Sequence, residues 1–271
     1  MSAGQWAVVL GASSGSGAAI AVEVAGSRGL HVFGVHRGRY LEQAQQVERD
    51  VAATGRRIVM HRGDAAIPEG VAQGAEALLE AAGPRSVKLF VHSLASGSVG
   101  HFVSGGEDQF HPKQVERTFN SMAHSFLYWS QALVARDLLA PQARLLGLTN
   151  PLTESLLHNT GLITASKAAL EIYVRHLALE LGPRGHRVNL LKFGTVLTPA
   201  LQHVYSPEAL ARLEAAHVRM NPSGRMCTVQ EVARFVSVLV GDDVDWFNGA
   251  TIDFTGGMTL RLLDLVLNEQ R

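Results

Sequence analysis

The segment Ala7-Val-Val-Leu-Gly-Ala-Ser-Ser-Gly-Ser-Gly17 decides the fold, because it joins an apolar strand to a helix through a glycine-rich turn. Gly11 lets the chain turn sharply, Gly15 lets backbone N–H groups approach an anion, and Gly17 lets the helix pack closely. The helix amino terminus then faces a bound pyrophosphate. The context predicts a dinucleotide site, and an ordinary strand–helix turn is the alternative. The expected contacts are Gly11, Ser13, Ser14, Gly15, Ser16 and Gly17.

Outward from this turn, apolar runs and amphipathic stretches alternate along the chain. Strands are predicted at 7–10, 31–35, 57–61, 87–91, 145–149, 188–191 and 251–254, and helices at 16–28, 43–54, 70–82, 112–139 and 161–181. This order predicts an α/β fold of the Rossmann type, a doubly wound parallel sheet of about seven strands with helices on both faces. We expect one dinucleotide-binding and catalytic domain over 1–271. The segment 198–226 is the least regular and is predicted to be a substrate loop.

The composition excludes several classes of partner. The 24 Lys and Arg residues balance 24 Asp and Glu residues, so neither nucleic acid nor an anionic membrane is favoured. A single cysteine, Cys227, excludes an internal disulfide and fits a cytoplasmic location. We expect no signal peptide and no membrane-spanning helix. The twelve histidines show no metal-ligand spacing, so no metal site is expected.

The end of the second strand indicates which dinucleotide is bound. Sites selective for NAD place an acid there to hold the ribose 2′-hydroxyl. This chain has His36-Arg-Gly-Arg39 instead. Arg37 and Arg39 would attract a 2′-phosphate, so NADPH is the predicted cofactor. The alternative is that the two arginines only decorate a solvent-facing strand end.

On these residues the chain resembles the short-chain dehydrogenases/reductases over essentially its whole length. The turn is similar to that family's Gly-x-x-x-Gly-x-Gly, and Asp64 matches the acid that contacts the adenine. Asn120 matches the mid-helix asparagine, and Lys167, within Ala165-Ser-Lys-Ala-Ala-Leu-Glu171, matches the active-site lysine. The resemblance implies further cofactor contacts from Arg37, Asp64, Ala65, Ser93, Leu94, Lys167, Gly194 and Thr198. Phe193 departs from the Pro that usually precedes this glycine.

Segments near the carboxyl terminus resemble the enoyl-acyl-carrier-protein reductase branch of the family. They are Asn221-Pro-Ser-Gly-Arg-Met226, Asn248-Gly-Ala-Thr-Ile-Asp253 and Gly256-Gly257. Val91-His-Ser-Leu94 likewise stands where many enoyl reductases have Val-His-Ser-Ile. His92 and Ser93 are then expected to line the nicotinamide ribose. The apolar residues Leu201, Val204, Tyr205 and Leu213 suggest an acyl chain as substrate.

This chain lacks the active-site tyrosine of the reductases that it resembles. Four residues before Lys167, where ketone reductases have Tyr, stands Ile163. Seven residues before it, where enoyl reductases have Tyr, stands Thr160. The serine or second tyrosine of the fifth strand falls at Thr149 or Asn150. A threonine hydroxyl cannot be tuned to a general acid as a phenol can, but it can donate a hydrogen bond to an enolate.

Three residues could replace the tyrosine, and each has a structural alternative. Thr160 could donate to the substrate oxygen or cap the following helix. Asn150 could donate its amide N–H to the substrate oxygen, or it could simply stabilise a turn before Pro151. Tyr205 could reach over the site or pack as a loop aromatic. His158 could act in acid–base chemistry or be a structural loop residue.

These residues predict an NADPH-dependent reductase of the C=C bond in an acyl thioester of acyl carrier protein or coenzyme A, as in fatty acid or polyketide metabolism. Lys167 and Asn120 would complete its catalytic set. One alternative is a protein of the same fold without hydride transfer, a dehydratase, isomerase, or regulatory or scaffold subunit. A further alternative is a ketoacyl reductase. The resemblance implies a homodimer or homotetramer built on the helices at 112–139 and 161–181.

Overall fold

A computed structural model of the chain describes residues 4–154 and 156–261. The side chains at 200, 203, 204 and 261 lie outside the description, so the expectation that Val204 lines an acyl site has no side-chain geometry here. No helix within these ranges is long and apolar enough to cross a membrane.

The sheet has seven parallel strands in the order β3-β2-β1-β4-β5-β6-β7. The strands are β1 Trp6–Leu10, β2 His31–His36, β3 Ile58–Arg62, β4 Val87–His92, β5 Leu139–Thr149, β6 Arg187–Phe193 and β7 Thr251–Phe254. The predicted Rossmann-type sheet is confirmed. Because strand order reverses between β1 and β4, a crevice opens at their carboxyl ends, where ligands of such folds bind.

Helices cover both faces of the sheet. They are α1 Gly15–Arg28, α2 Leu41–Ala53, α3 Pro68–Ala82, α4 Pro112–Phe119, α5 Ser125–Ala135, α6 Gly161–Leu181, α7 Pro199–Val204, α8 Pro207–Met220 and α9 Val229–Leu239. Leu78 of α3, Trp129 of α5 and Leu170 of α6 belong to one buried apolar cluster. Ile20 of α1 and Val236 of α9 belong to the other, which lies on the opposite face. The strands between the clusters are therefore buried on both sides, as parallel strands require.

The prediction of one long helix over 112–139 was wrong in two respects. A π-helical segment, Asn120–His124, separates α4 from α5. The helix also ends at Ala135, and Asp137 adopts a left-handed backbone with φ of 49°. The apolar residues that follow belong to β5, in which Leu139 pairs with Val87. A short apolar run is compatible with either a helix or a strand, which explains the overrun.

The expectation of an irregular segment at 198–226 was also wrong, because α7 and α8 occupy most of it. Each helix begins with Pro after a capping residue, an arrangement that stabilises a helix start. Thr198 Oγ1 accepts a hydrogen bond from Leu201 N, and Ser206 Oγ accepts one from Ala209 N, both at 3.3 Å. The segment is thus a pair of capped helices that leads from β6 towards α9.

Candidate active site

The turn after β1 has the geometry that its glycines predicted. Gly11 and Gly15 have φ of 82° and 59°, in the left-handed region that favours glycine. A Cβ on Gly17 would lie 2.3 Å from the carbonyl oxygen of Gly11, and one on Gly11 would lie 2.7 Å from that of Ser93. The turn therefore has no room for side chains at these positions.

The amino terminus of α1 leaves its first N–H groups available to an anion. The N-cap residue Ser14 makes no side-chain capping hydrogen bond, and the first turn contains no acidic residue. Unpaired N–H groups and the helix dipole together favour a negatively charged group at this end.

A cleft of about 340 Å³ opens from this turn along the carboxyl ends of the strands. The predicted cofactor residues that line it are Gly11, Ser13, Ser14, Gly15, Ser16, Arg37, Asp64, Ala65, Ser93, Leu94 and Thr198. Three predicted residues do not line it. Gly17 lies against the Gly11 carbonyl, Gly194 is buried near Met258, and Lys167 is buried in α6.

One end of the cleft carries the basic residues. Arg37 and Arg39 line it, and Arg37 Nη2 donates a hydrogen bond of 3.0 Å to Ser96 Oγ. Asp64 Oδ1 accepts from Ala66 N at 3.0 Å, which fixes the carboxylate at the cleft wall. Tyr40 also lines this end and was not predicted. Its place just beyond the carboxyl end of β2 was the signal that could have identified it.

A second cavity of about 180 Å³ continues the cleft towards α4. It shares Arg37, Ser96 and Ser121 with the first cavity and adds Asn120 and Arg117. The predicted Asn120 therefore lies along the same crevice as the glycine turn. Ser96 and Ser121 were not predicted, although both neighbour residues that were.

Lys167 is buried beside β5 and is 4% exposed. Its Nζ donates a hydrogen bond of 2.7 Å to the carbonyl oxygen of Leu148. Burial lowers the pKa of Lys167 to about 8, because removal from water disfavours the charged form. Near neutral pH the ammonium form still predominates and has two further N–H groups to donate.

His92, at the end of β4, is fully buried and neutral. Burial and then the charge of Lys167 lower the pKa of His92 to about 3. Its Nε2 lies 2.8 Å from Ser125 Oγ, and Ser125 Oγ donates to the carbonyl oxygen of Ser121 at 2.9 Å. Since the Ser125 proton is used there, His92 donates through Nε2. His92 thereby holds the π-helical segment that begins at Asn120 and is unsuited to acid–base work.

The positions of the missing tyrosine are occupied by residues with structural contacts. A Cβ on Gly97 would lie 2.8 Å from both Ile163 Cγ1 and Met122 Sδ, so Ile163 packs against the chain that follows β4. Thr160 is buried, and its hydroxyl donates to the carbonyl oxygen of Leu157 at 2.7 Å. Thr160 stands at the N-cap position of α6 but makes no side-chain cap.

The other two candidates for the tyrosine's role do not line either cavity. Asn150 Oδ1 accepts from Leu152 N at 3.2 Å and caps a short 3₁₀ turn, so its carbonyl serves turn chemistry. Tyr205 follows α7 and is half-buried. Neither these two residues nor Thr160 are among those that line the two cavities.

Two contacts join loops that lie far apart in sequence. The ring of His158 lies 5.2 Å from that of His101, and Gly100 N donates to Asn159 O at 2.9 Å. These contacts favour the structural interpretation of His158. The loop after β4 is thereby joined to the residues that precede α6.

A buried lysine, which the sequence analysis did not single out, forms two ion pairs near the end of β5. Lys192 of β6 binds Glu154 at 2.5 Å and Asp253 at 2.9 Å. Burial opposes its charge, but the two carboxylates raise the pKa of Lys192. The ion pairs therefore connect β6 with β7 and with the residues just after β5.

Comparison with known proteins identifies the family. A family model described as "Enoyl-(Acyl carrier protein) reductase" matches residues 11–259. The chain is 26% identical to 1-cyclohexenylcarbonyl-CoA reductase of Streptomyces collinus over 94% of this chain and 87% of that protein. It is 30% identical to an uncharacterized oxidoreductase of Methylorubrum extorquens, over 94% and 98% of the two chains.

Solved structures agree with these sequence matches. A short chain dehydrogenase from Burkholderia cenocepacia, solved in complex with NADP, is 27% identical and superposes with a TM-score of 0.78, covering 94% of this chain and 98% of that one. With its seven-stranded parallel sheet and its glycine turn, the chain belongs to the enoyl-acyl-carrier-protein reductase family of the short-chain dehydrogenase/reductase superfamily, a superfamily of oxidoreductases.

Proposed function

We propose that the protein is an NADPH-dependent reductase of the C=C bond in an acyl thioester. The observation that carries the proposal is one continuous cleft, with the glycine turn, Arg37 and Arg39 in the wall of its first part and Asn120 beside Arg37 in its continuation. The wall at Gly11 and Gly15 is bare backbone, and the α1 terminus offers unpaired N–H groups. These features fit a dinucleotide.

The residues that would hold NADPH follow from this arrangement. The turn N–H groups would bind the pyrophosphate, and the two arginines the 2′-phosphate. Asp64 would contact the adenine. Lys167 and Ser93 would hold the nicotinamide ribose, and Thr198 the carboxamide. When bound, the cofactor supplies a hydride for the β-carbon of the substrate. The NADP-bound Burkholderia structure supports this choice of cofactor.

Reduction of an enoyl thioester places negative charge on the thioester oxygen, and the protein must stabilise it. We infer that Asn150 is a better donor than Thr160, because the Thr160 proton is already given to Leu157 O. The amide nitrogen of Asn150 makes no hydrogen bond within the described residues. Lys167, still largely charged near neutral pH, would supply the proton or the positive field for this oxygen.

The enoyl assignment rests on the family description and on the printed activity of the Streptomyces relative, a CoA thioester reductase. It also suits the chemistry, since an enolate needs hydrogen bonds more than it needs full proton transfer. A ketone needs an acid as strong as a tuned phenol, and Ile163 offers none. A ketoacyl reductase is therefore the weaker assignment.

A second candidate is a cofactor-binding protein that transfers no hydride. The packing of Ile163 and the engaged hydroxyl of Thr160 favour it, since both tyrosine positions have purely structural contacts. The burial of Lys167 argues against this second candidate. Burying a charged side chain costs free energy, and a purely structural role would not require a charged residue at this position.

The deciding experiment measures NADPH consumption with crotonyl-CoA, 1-cyclohexenylcarbonyl-CoA and acetoacetyl-CoA, together with NADPH binding by fluorescence. We expect turnover with the enoyl substrates and much less with the ketone. Tight NADPH binding without turnover of any thioester would support the second candidate instead. Turnover of acetoacetyl-CoA alone would indicate a ketoacyl reductase.

Three conservative variants identify the group that replaces the tyrosine: Asn150→Ala, Thr160→Val and Tyr205→Phe. The variant that removes the donor should lower kcat by about a hundredfold to a thousandfold at unchanged NADPH affinity. We expect this result for Asn150→Ala. A small effect of all three would assign the role to Lys167 alone.

We further propose that the protein is a cytoplasmic homo-oligomer assembled through α5 and α6. Ile172 and Leu179 of α6 are apolar and exposed, at 49% and 75%. Tyr173 Oη lies 2.9 Å from His124 Nδ1 beside them, which connects α6 to the π-helical segment. Sedimentation of Leu179→Glu tests the proposal, and an unchanged mass relative to the natural chain would contradict it.

A further inference from the structure

We infer that the amino edge of the sheet contains a binding site for a small monovalent anion such as chloride. Its centre is Arg144 of β5, which is 5% exposed. Arg144 pairs in register with Leu89 and Arg187, near the starts of β4 and β6. The cofactor cleft lies at the opposite, carboxyl ends of the strands, so the two sites are separate.

The guanidinium of Arg144 is only partly satisfied. Its Nη2 donates to the carbonyl oxygen of Gly241 at 3.0 Å and to the carboxylate of Asp245. The buried atoms Nε and Nη1 have no hydrogen-bond partner among the described residues. Arginine stays charged at any pH at which the protein is folded, so these two N–H groups need an acceptor. Buried donors without one are rare and costly.

A small cavity lies beside Arg144 and is lined also by Arg187, Asn189, Val244 and Phe247. Its volume of about 10 Å³ suits one water-sized species. The polar groups of Asn189 are already used, since Nδ2 donates to Phe247 O and Oδ1 accepts from Ala250 N. The occupant must therefore accept hydrogen bonds from Arg144.

The surrounding charges favour an anion over a neutral acceptor. Arg144 and Arg187 lie side by side on adjacent strands, and Lys88 precedes Leu89 on the next. Burial and then the charge of Arg144 lower the pKa of Lys88, although the carboxylates of Asp242 and Asp245 oppose this shift. Asp245 is the direct carboxylate partner of Arg144, and its backbone oxygen accepts from Arg187 Nε at 2.7 Å. Lys88, Arg144 and Arg187 thus face two carboxylates, those of Asp242 and Asp245, and a halide would offset the remaining positive charge.

The test compares thermal unfolding in sodium chloride and in sodium gluconate at equal ionic strength, up to about 0.15 M. Gluconate is too large for the cavity. Binding to the folded chain alone stabilises it by mass action, so chloride should raise the Tm by about 2–4 °C relative to gluconate. The matched variants are Arg144→Met and Arg175→Met, the latter removing an exposed arginine paired with Glu171.

Chloride should stabilise Arg175→Met as it does the natural chain and should not stabilise Arg144→Met. Equal effects of chloride and gluconate on the natural chain, or a chloride effect that persists in Arg144→Met, would overturn the proposal and assign the cavity to water.

Should Arg144→Met not fold, Asp245→Asn and line broadening of ³⁵Cl in nuclear magnetic resonance replace it. Removing the competing carboxylate should increase chloride affinity, so that the site is half-saturated at a lower chloride concentration in a chloride titration. No broadening above that of free chloride, or no change in Asp245→Asn, would contradict the site.

Discussion

Lys167 Nζ donates to the carbonyl oxygen of Leu148 across 2.7 Å, which fixes the buried ammonium of α6 to strand β5. This bond positions the lysine at the carboxyl half of the sheet, near the residues that take the place of the missing tyrosine. Burial sets its pKa at about 8, and two predictions follow from that value and its sign.

The first prediction concerns the rate. If the charged Lys167 supplies the proton or field for the enolate, kcat/KM should be constant below pH 7 and fall about tenfold per pH unit above about 8, because kcat/KM reports the ionisation of the enzyme before the thioester binds. Lys167→Arg should abolish this descent, because a guanidinium does not titrate there, although kcat/KM will be lower throughout. The measurement is kcat/KM for the enoyl thioester against pH. A flat profile for the natural enzyme would contradict the assignment.

The second prediction concerns stability. The pKa of Lys167 is lower in the folded chain than the ordinary value of 10.5, so the unfolded state binds more protons between pH 8 and 10.5. The free energy of unfolding contributed by this group therefore rises with pH in that window, by up to about 1.4 kcal/mol per pH unit.

Urea unfolding of the natural chain and of Lys167→Met, compared at pH 7 and pH 10, measures this contribution. The natural chain should gain stability relative to the variant as pH rises. Lys113→Met, which removes an exposed lysine of α4, serves as the control and should show no such relative change. Parallel curves for the natural chain and Lys167→Met would show that the lysine is not desolvated.

The third prediction tests the cofactor preference. Arg37→Ala should raise the Kd for NADPH by about 10- to 100-fold and that for NADH little, because only NADPH has the 2′-phosphate. Arg49→Ala, which removes the same charge from the exposed face of α2, should change neither. Ser96→Ala removes the group that Arg37 contacts in this structure and should leave NADPH affinity equal or slightly higher. Equal losses for both dinucleotides in Arg37→Ala would refute the preference.

The fourth prediction compares two glycines of α1. A Cβ at Gly17 would meet the backbone oxygen of Gly11 at 2.3 Å, whereas one at Gly26 meets only Thr54 Cγ2 at 3.6 Å. Gly17→Ala should therefore displace the turn and weaken NADPH binding at least as much as Arg37→Ala. Gly26→Ala should bind normally and be about 1 kcal/mol more stable, as expected for Ala in place of Gly within a helix. Titration calorimetry and thermal unfolding measure the two effects.

Much of the sheet could be predicted, because each strand is a short apolar run bounded by turn residues. The glycine turn was equally readable, since Gly11, Gly15 and Gly17 each have a backbone reason to be glycine. The helices at 199–220 were missed although their signals were present. Thr198-Pro199 and Ser206-Pro207 are a capping residue followed by proline, a pattern that predicts a helix start.

The catalytic half of the site was less predictable, because it depends on contacts between residues far apart in sequence. Nothing local indicates that Ile163 packs against Gly97, 66 positions earlier, whereas the hydrogen bond from Thr160 to Leu157 spans only three residues. Lys192 was missed for the same reason, as its two carboxylate partners lie 38 and 61 positions away. Counting back from Lys167 identified the two positions of the missing tyrosine, but it could not show which contacts the residues there make.

The π-helical segment Asn120–His124 gives this helix one place where its length can change. A π turn accommodates one residue more than an α turn, so deleting a single residue there would leave an ordinary α-helix with the later residues on nearly the same faces. Phe126 and Trp129, whose rings stack on Phe90 at centroid distances of 5.5 and 6.5 Å, would keep that contact. Deleting Ser125 from α5 instead would rotate both rings by about 100° around the helix axis and away from Phe90.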